Sequence, residues 1–579
     1  MSTSFTVALL ANCATDLFAP ILLKELKQCG LETRLWAAGF NQYRQELLDA
    51  ASGFYRVDPR VAILCLEGED LFRDILADPL PFDRQQRRER VEAAISEVGE
   101  LVSAASARLP RTTFLLNTIA IPPVHALTGL EYNTAHSVWD LASGYNQLLE
   151  ELARRSGGGV IVVDTASLMS LAGYRSWHDP RLWCLARSRW SRPAMRMIAD
   201  RYAAAVVTLT GRVRKCLVLD LDNTLWGGIL GEDGVQGITL GAEGLGLAFA
   251  EFQGELLNLR RKGVLLAIAS KNDAGEALEA LRTHPAMRLR EEHFASFRIN
   301  WDDKAANLRA IANELDIGLD SLVFIDDNPA ERALVRARLP EVLVPEWPSD
   351  PAEYRMALLE LAATHFYRMR ITEEDSMRGD SYRLQAERRK LALESASIED
   401  YYRSLGMSAR IGFADGITVP RIAQLVQKTN QFNLTTRRYT EAEVACFASA
   451  RDTMVLWMEL DDRFGPNGLV GVMILRQQDS STWRIDTLLL SCRVIGRTAE
   501  NAFLAQACKL LRERGGTWLI GEYRPSLRNA VAAELYAKLG FQPAGQSNES
   551  AFWELDLSGS GIRAPAWIEV QCAPEGTHA

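Results

Sequence analysis

None of the nine cysteines stands at Cys-x-x-Cys spacing and the seven histidines form no ligand-spaced cluster, so neither a structural zinc site nor a disulfide framework is indicated. No apolar run approaches the roughly 18 residues that span a bilayer. The start, MSTSFTVALLANCATDLF, lacks the basic stretch of a secretory signal. Positive charge is scarce as well. Lys and Arg total 65 against 74 Asp and Glu, a net charge of −9, and contacts to nucleic-acid phosphates demand the opposite balance. These absences predict a soluble cytoplasmic protein with no membrane or nucleic-acid partner.

A chain of 579 residues exceeds one compact core. Over residues 1–210 apolar runs (FTVALLA, VAILCL, TFLLNTIAI, GVIVVDTASLM) alternate with helix-like stretches, the pattern of an α/β domain with a mostly parallel sheet. A second α/β domain over 211–350 opens with KCLVLDLDNTLW and closes after SLVFIDDNPAERALVRARL. Residues 351–400 read as a charged helical connector. From 401 to 560 antiparallel-looking strands and a helix give an α+β pattern, and 561–579 reads as a loose tail. Two basic runs interrupt the acidic background. Arg84, Arg87, Arg88 and Arg90 form one; Arg187, Arg189, Arg192, Arg196 and Arg201, after Trp183, form the other. Each is either a solvated helix face or a site for an acidic protein partner.

The strand KCLVLDLD delivers Asp220 and Asp222 to its carboxyl end, where ligands of parallel sheets bind. One carboxylate can attack phosphorus in line, the other can protonate the leaving oxygen, and Mg2+ can offset the charge repulsion. Ser270, after VLLAIAS, can donate to a phosphoryl oxygen, and Lys304 can supply a fixed positive charge. Asp326 and Asp327 end SLVFI, where acidic oxygens complete a magnesium site. About 40 residues separate LDLDNTLW from VLLAIAS, too few for a large cap.

Further on, DTLLLSC runs into Arg493-Val494-Ile495-Gly496-Arg497-Thr498 and then a helix, a geometry that can cradle phosphate. Cys492 precedes that loop, where helix-terminal donors and Arg493 favour a thiolate; a small buried core residue is the other reading. The stretch KTNQFNLTTRRYT carries Asn430, Asn433, Thr435 and Arg437, groups suited either to a hydroxylated or phosphorylated substrate or to capping a polar loop.

DLDNT, AIAS, Lys304 and FIDDNPAE together resemble the haloacid dehalogenase (HAD) superfamily. The resemblance implies a Rossmann-like domain without a large cap. Asp220 would be the nucleophile, Asp222 the general acid/base, and Thr224, Ser270 and Lys304 the phosphate ligands. Asp220, Asp222 (through its main-chain carbonyl) and Asp326 would hold Mg2+. The loop 493–498, with Asn529, Tyr536, Gly540 and Phe541 downstream, resembles the acetyltransferase (GNAT) fold that binds coenzyme A, with Thr498 where a second small residue is usual. That loop would receive a phosphopantetheine arm. More broadly, KCLVLDLDNTLWGGILGEDG, INWDDKAANL, FIDDNPAERALVRARLPEV, KTNQFNLTTRRYT and LLLSCRVIGRTAE resemble the FkbH-like glyceryl transferase/phosphatases. That family implies capture of the acyl group of D-1,3-bisphosphoglycerate on a cysteine, dephosphorylation, and transfer of glyceryl to an acyl carrier protein for polyketide biosynthesis. A stand-alone phosphatase or phosphotransferase and a carrier-docking scaffold are the rivals. The N-terminal domain resembles SGNH hydrolases, with Asn12-Cys13-Ala14-Thr15-Asp16 in place of Gly-Asp-Ser and with Asn117 and His178-Asp179 as further points of likeness. That departure predicts a scaffold or docking role.

Overall fold

The computed structural model describes residues 5–123, 129–130, 133–134, 137–211, 213–369, 388, 391, 395, 397–429, 431–526, 529–547, 549–559 and 561–572. The chain is mixed α/β and divides into two compact units: Met1–Gly211 with Ala414–Gln427 and Arg438–Thr453, and Arg212–Phe413 with Lys428–Arg437 and Met454–Ala579. No helix among the described residues is long and apolar enough to cross a membrane.

The first unit holds five parallel strands, β1 (Phe5–Ala11), β2 (Thr33–Ala37), β3 (Val61–Cys65), β4 (Thr113–Asn117) and β5 (Val160–Val163), in the order β2-β1-β3-β4-β5. All five residues of β3 and of β4 are buried, as a parallel sheet covered on both faces requires. Residues 414–427 and 438–453 were expected in the third domain but cluster here. Arg60 explains part of this: its guanidinium reaches the Arg438 carbonyl and pairs with Glu443 at 3.1 Å.

The second unit contains two sheets. Four strands, β6 (Cys216–Leu219), β7 (Leu265–Ser270), β8 (Ser296–Ile299) and β9 (Leu322–Ile325), run parallel in the order β8-β7-β6-β9. Between β6 and β7 the chain makes only a short flap, closed where Gly227 and Thr239 exchange backbone bonds, before the helix Gly244–Arg261. Helix Tyr354–His365 corrects the expected connector. Tyr354, Leu358 and Leu361 are buried in the core of this sheet, and Tyr354 packs against Phe249, Phe252 and Trp347 at 5.3–5.9 Å. The rest of 366–396 falls mostly outside the described residues.

The larger sheet has nine strands: β10 (Met407–Phe413), β11 (Phe432–Asn433), β12 (Thr453–Asp462), β13 (Gly465–Gln477), β14 (Thr482–Leu490), β15 (Trp518–Tyr523), β16 (Gln542–Gln546), β17 (Ala551–Asp556) and β18 (Ile568–Cys572). Strands β14 and β15 pair in parallel only over Thr482–Arg484, and β11 takes up pairing with β14 at Leu489 and Leu490. Strand β18 lies in the expected tail. It pairs with β10 from Met407↔Ile568 to Ile411↔Cys572, because Ile568 finds a buried place beside the core.

Candidate active site

Parallel register builds the first site. Leu219 lies level with Ile268 on one side and Ile325 on the other, so Asp220 and Asp326 leave adjacent strands at the same height. The Asp220 amide donates to the Ile325 carbonyl at 3.1 Å. Lys304 opens the helix Lys304–Glu314, whose N-cap Asp303 accepts from the Ala306 amide. Only 2% exposed, Lys304 points its Nζ to Asp220 Oδ1 at 2.7 Å, Asp326 Oδ2 at 3.0 Å and the Ala269 carbonyl at 2.9 Å. Burial pulls its ammonium down in pKa, yet the facing Asp220 and Asp326 carboxylates outweigh that and raise it.

Asp220, Asp326 and Asp327 each offer an oxygen within 4.8 Å of the others. Burial, then the Asp220 charge, pushes Asp326 up to about 6 and raises Asp327 as well. Three carboxylates against one ammonium leave two negative charges uncompensated at this rim. Hard oxygen donors with an excess of negative charge suit Mg2+, so the residues fit the ion the sequence motif implies. Arg332 fixes the acidic turn by donating to the Asp326 and Asp327 carbonyls at 2.8 and 2.7 Å.

The Asp222 carboxylate stands apart from that cluster. Oδ1 accepts from Trp226 Nε1 at 2.9 Å and from the Leu230 amide at 3.1 Å, while Oδ2 accepts from Asn272 Nδ2 at 2.9 Å. Burial raises its pKa against these donors, which favours a proton available for transfer. The turn that follows requires Asn223 at φ 52°, and Tyr354 donates to the Asn223 carbonyl at 2.9 Å. Ser270 ends β7 fully buried, and Thr224, also buried, accepts from the Asp327 amide at 3.3 Å.

Sequence reasoning missed Asn272, Trp226 and Tyr354. For Asn272 a signal existed, an amide two residues beyond Ser270 at a strand exit; for Tyr354 none did, because its partner is a backbone carbonyl 131 residues away.

In the larger sheet Cys492 begins a 3-10 turn, Cys492–Val494, directly after β14; its side chain lies outside the described ones. Gly496 at φ 76° and Thr498 at φ 59° turn the chain into the helix Ala499–Glu513. Around this loop Tyr402 donates to the Gly496 carbonyl at 2.7 Å and Trp567 donates to Thr498 Oγ1 at 2.9 Å. Val494 is fully buried, Ile495 packs on the same core, and Arg493 reaches Ser491 Oγ at 3.2 Å. Arg497 turns inward, its Nη1 2.8 Å from Asp462, which also takes a two-point contact from Arg388 at 2.9 Å. Burial and the neighbouring Arg388 lower the Arg497 pKa. The guanidinium expected to meet phosphate is thus held in a buried ion triad.

Asn430 lies outside the described residues. Asn433 and Thr435 are buried: Asn433 Oδ1 accepts from the Thr436 amide at 2.8 Å, and Thr435 donates to the Asp486 carbonyl at 2.9 Å. Arg437 pairs with Asp486 at 3.2 Å and Glu522 at 2.7 Å. Of the two readings left open for this segment, substrate binding or a polar structural loop, these contacts match the second: its polar atoms anchor it beside the diverging β14 and β15.

In the first unit Cys13 is buried, and burial followed by Cys65, Glu67 and Asp70 raises its thiol pKa well above normal, the opposite of an activated nucleophile. Asn12 spans the Glu67 backbone with bonds of 3.0 and 2.8 Å, and Asn117 accepts from the Leu66 amide at 2.7 Å and donates to the Leu66 carbonyl at 2.9 Å. His178 stacks on Tyr174, centroids 5.5 Å apart.

No family model matches the sequence, and no curated protein matches it either. Among solved structures, the chain is similar to the N-terminal part of the protein BF1531 from Bacteroides fragilis, which contains a phosphatase domain and was crystallised with Mg. Identity is 29% and the TM-score 0.57, over 62% of this chain and 94% of that one. Over 26% of the chain it also matches the ribosomal-protein-S18-alanine N-acetyltransferase from Escherichia coli (18% identity, 96% of that chain, TM-score 0.21). A putative acetyltransferase, yncA, from Salmonella typhimurium matches at the same identity, coverage and TM-score.

Proposed function

We propose that this chain is a magnesium-dependent HAD-type phosphohydrolase whose phosphatase step serves an acyl-transfer cycle: glyceryl from D-1,3-bisphosphoglycerate is carried as a thioester, dephosphorylated, and passed to the phosphopantetheine arm of an acyl carrier protein. The observation that carries the phosphatase half is the group of buried Lys304 and Asp326 with half-buried Asp220 and Asp327 at the carboxyl ends of parallel strands. The likeness to a Mg-bound phosphatase-containing chain supports it.

In this reading Asp220 attacks phosphorus, the phosphorus–oxygen bond to the substrate breaks, and Asp222 delivers a proton to the departing oxygen. Water then attacks the aspartyl-phosphate, giving its proton to Asp222 and freeing phosphate. Lys304, Ser270 and Thr224 hold the phosphoryl oxygens. Asp220, Asp326 and Asp327, with the main-chain carbonyl of Asp222, would hold Mg2+, which when bound neutralises charge on the phosphoryl group.

For the acyl half, the Cys492 thiolate attacks the carbonyl carbon of the acyl phosphate, the carbon–oxygen bond breaks, and inorganic phosphate leaves. A carrier thiol later displaces Cys492 by the same exchange. Support comes from the place of Cys492 between β14 and a long helix. A plain phosphatase is favoured by one observation, the inward ion pair of Arg497.

The test is intact-protein and peptide mass spectrometry after incubation with Mg2+ and freshly generated D-1,3-bisphosphoglycerate. A glyceryl adduct on the Cys492 peptide, absent in Cys492→Ala and still phosphorylated in Asp220→Asn, supports the full cycle. Phosphate release dependent on Asp220 without acylation of any cysteine leaves the plain phosphatase.

A further inference from the structure

The two basic runs have different fates. In the first, Arg84 pairs with Asp140 at 3.4 Å, Arg88 with Glu92 at 2.8 Å and Arg90 with Asp74 at 3.0 Å. In the second, Arg189 pairs with Glu69 and Asp70 at 2.6 and 3.1 Å, but the exposed Arg187, Arg192 and Arg196 have no ion pair among the described residues. The same holds for exposed Arg175 and Arg181. Four exposed guanidinium groups without an ion pair among the described residues, and Arg196, whose charge acts on Asp200, therefore lie within residues 175–196 of a chain whose net charge is −9.

In sequence they flank an unusual helix. Pro180–Ala186 buries none of its residues, although four of the seven are Leu, Trp, Cys and Leu; Leu185 is 85% exposed, and nearby Leu171 is 55% exposed. Yet the helix is held firmly. Asp179 caps it through the Arg181 and Leu182 amides, and its ends are tied by the Asp179 amide to the Arg189 carbonyl at 2.9 Å and the Ser191 amide to the Trp177 carbonyl at 2.8 Å. Arg189 lies 3.7 Å above the Trp183 ring and Arg187 5.2 Å from it, fixing the indole. A capped, exposed two-turn helix with apolar side chains, flanked in sequence by cations, offers a contact surface.

We propose that the helix Pro180–Ala186 and its arginines dock a small acidic carrier protein through one of that protein's acidic helices. Identifying the acidic partner as a carrier protein rests on the function proposed above. Charge complementarity chooses the occupant: unpaired guanidinium groups take carboxylates in two-point contacts, and Leu185 fills the apolar centre. The seven-residue helix offers too little apolar face to lie stably in a lipid interface.

The experiment measures binding of a panel of purified apo acyl carrier proteins to the immobilised full chain at low salt. Wild type is compared with the triple charge reversal Arg181→Glu, Arg192→Glu, Arg196→Glu and with Leu185→Ser. A control reversal, Arg88→Glu, alters the already paired run, and the thermal unfolding of each full-length variant reports folding. The expected result is roughly tenfold weaker binding in the triple variant, mostly through slower association, weaker binding in Leu185→Ser, and none of this in the control. Binding of no carrier by wild type, equal binding by the triple variant, or binding only to vesicles containing anionic lipid each overturns the proposal. Carrier binding without acyl transfer would refute the glyceryl cycle and leave the docking surface standing. Acyl transfer with charge-insensitive binding would do the reverse.

Discussion

Lys304 Nζ lies 2.7 Å from Asp220 Oδ1, on the carboxylate proposed above as the nucleophile, and holds Asp326 at 3.0 Å on its other side. One buried cation therefore organises two acidic groups that would otherwise repel. Removing it strands both. Lys304→Met is expected to cost about 3–5 kcal/mol of stability, as loss of one partner from a buried pair does, and to reduce phosphatase turnover at least a hundredfold. Urea unfolding and steady-state kinetics with a phosphate monoester check both.

The uncompensated charge of Asp220, Asp326 and Asp327 predicts that Mg2+ stabilises the folded chain. At a hundredfold excess over its Kd the ion should add about 2.7 kcal/mol to the unit that binds it. Thermal scans with and without EDTA should show that rise in wild type. Asp326→Asn should lose most of the Mg2+ response while showing a higher melting temperature than wild type in EDTA, because one repelling charge is gone.

Asn272 holds Asp222 Oδ2 at 2.9 Å, so Asn272→Ala should loosen the proton donor without touching the phosphate ligands. The expected result is a roughly tenfold fall in kcat, a part of the roughly hundred- to ten-thousandfold that general acid catalysis contributes, at nearly constant KM. The loss should shrink for aryl phosphates whose leaving oxygen needs no proton. An equal loss for alkyl and aryl substrates would argue that Asn272 acts elsewhere.

Burial first, then Glu69, raises the Glu67 carboxyl to about 8 from its ordinary 4.5. The folded chain keeps this proton while the unfolded chain gives it up. The cost to stability is absent below pH 4.5, grows as pH rises, and is complete above pH 8. Glu67→Gln should therefore gain stability relative to wild type between pH 5 and pH 8.5, measured as the difference of urea midpoints. A pH-independent difference would contradict the assignment.

Asp462 faces two guanidinium groups, Arg388 and Arg497, and all three are buried. Asp462→Asn leaves two cations without a counter-charge, whereas Arg388→Met leaves a neutral pair. The first should be the more damaging by about 2 kcal/mol or more, since an unpaired buried charge costs several. Denaturation of the two variants side by side decides the order.

The phosphatase site was legible because its parts are strand ends. CLVL, LLAIAS and LVFI are buried four- to six-residue runs, and parallel pairing brings the polar residue after each to one rim whatever happens between them. The loop 493–498 was legible as a turn but not in its side-chain directions. Arg497 reads as a phosphate ligand until Asp462, 35 residues earlier, is seen to hold it. Helix Tyr354–His365 reads as connector because a heavily charged stretch follows it, although its own Tyr354, Leu358 and Leu361 are core. Strand β18 was missed because an edge strand of five residues, with one buried, carries almost no hydrophobic period.

The chain passes between its two units at residues 211, 413, 427, 437 and 453. Synthesis is vectorial, so this order fixes a timetable. Arg60 emerges early from the ribosome, and its partner Glu443 follows 383 residues later. At an elongation rate of about 5–20 residues per second, that ion pair waits some tens of seconds, long enough for the parallel sheet around β3 and the strands carrying Asp220 and Asp326 to be made first. The unit that holds Arg60 thus stays unfinished until residue 453 has been made, well after its own sheet strands.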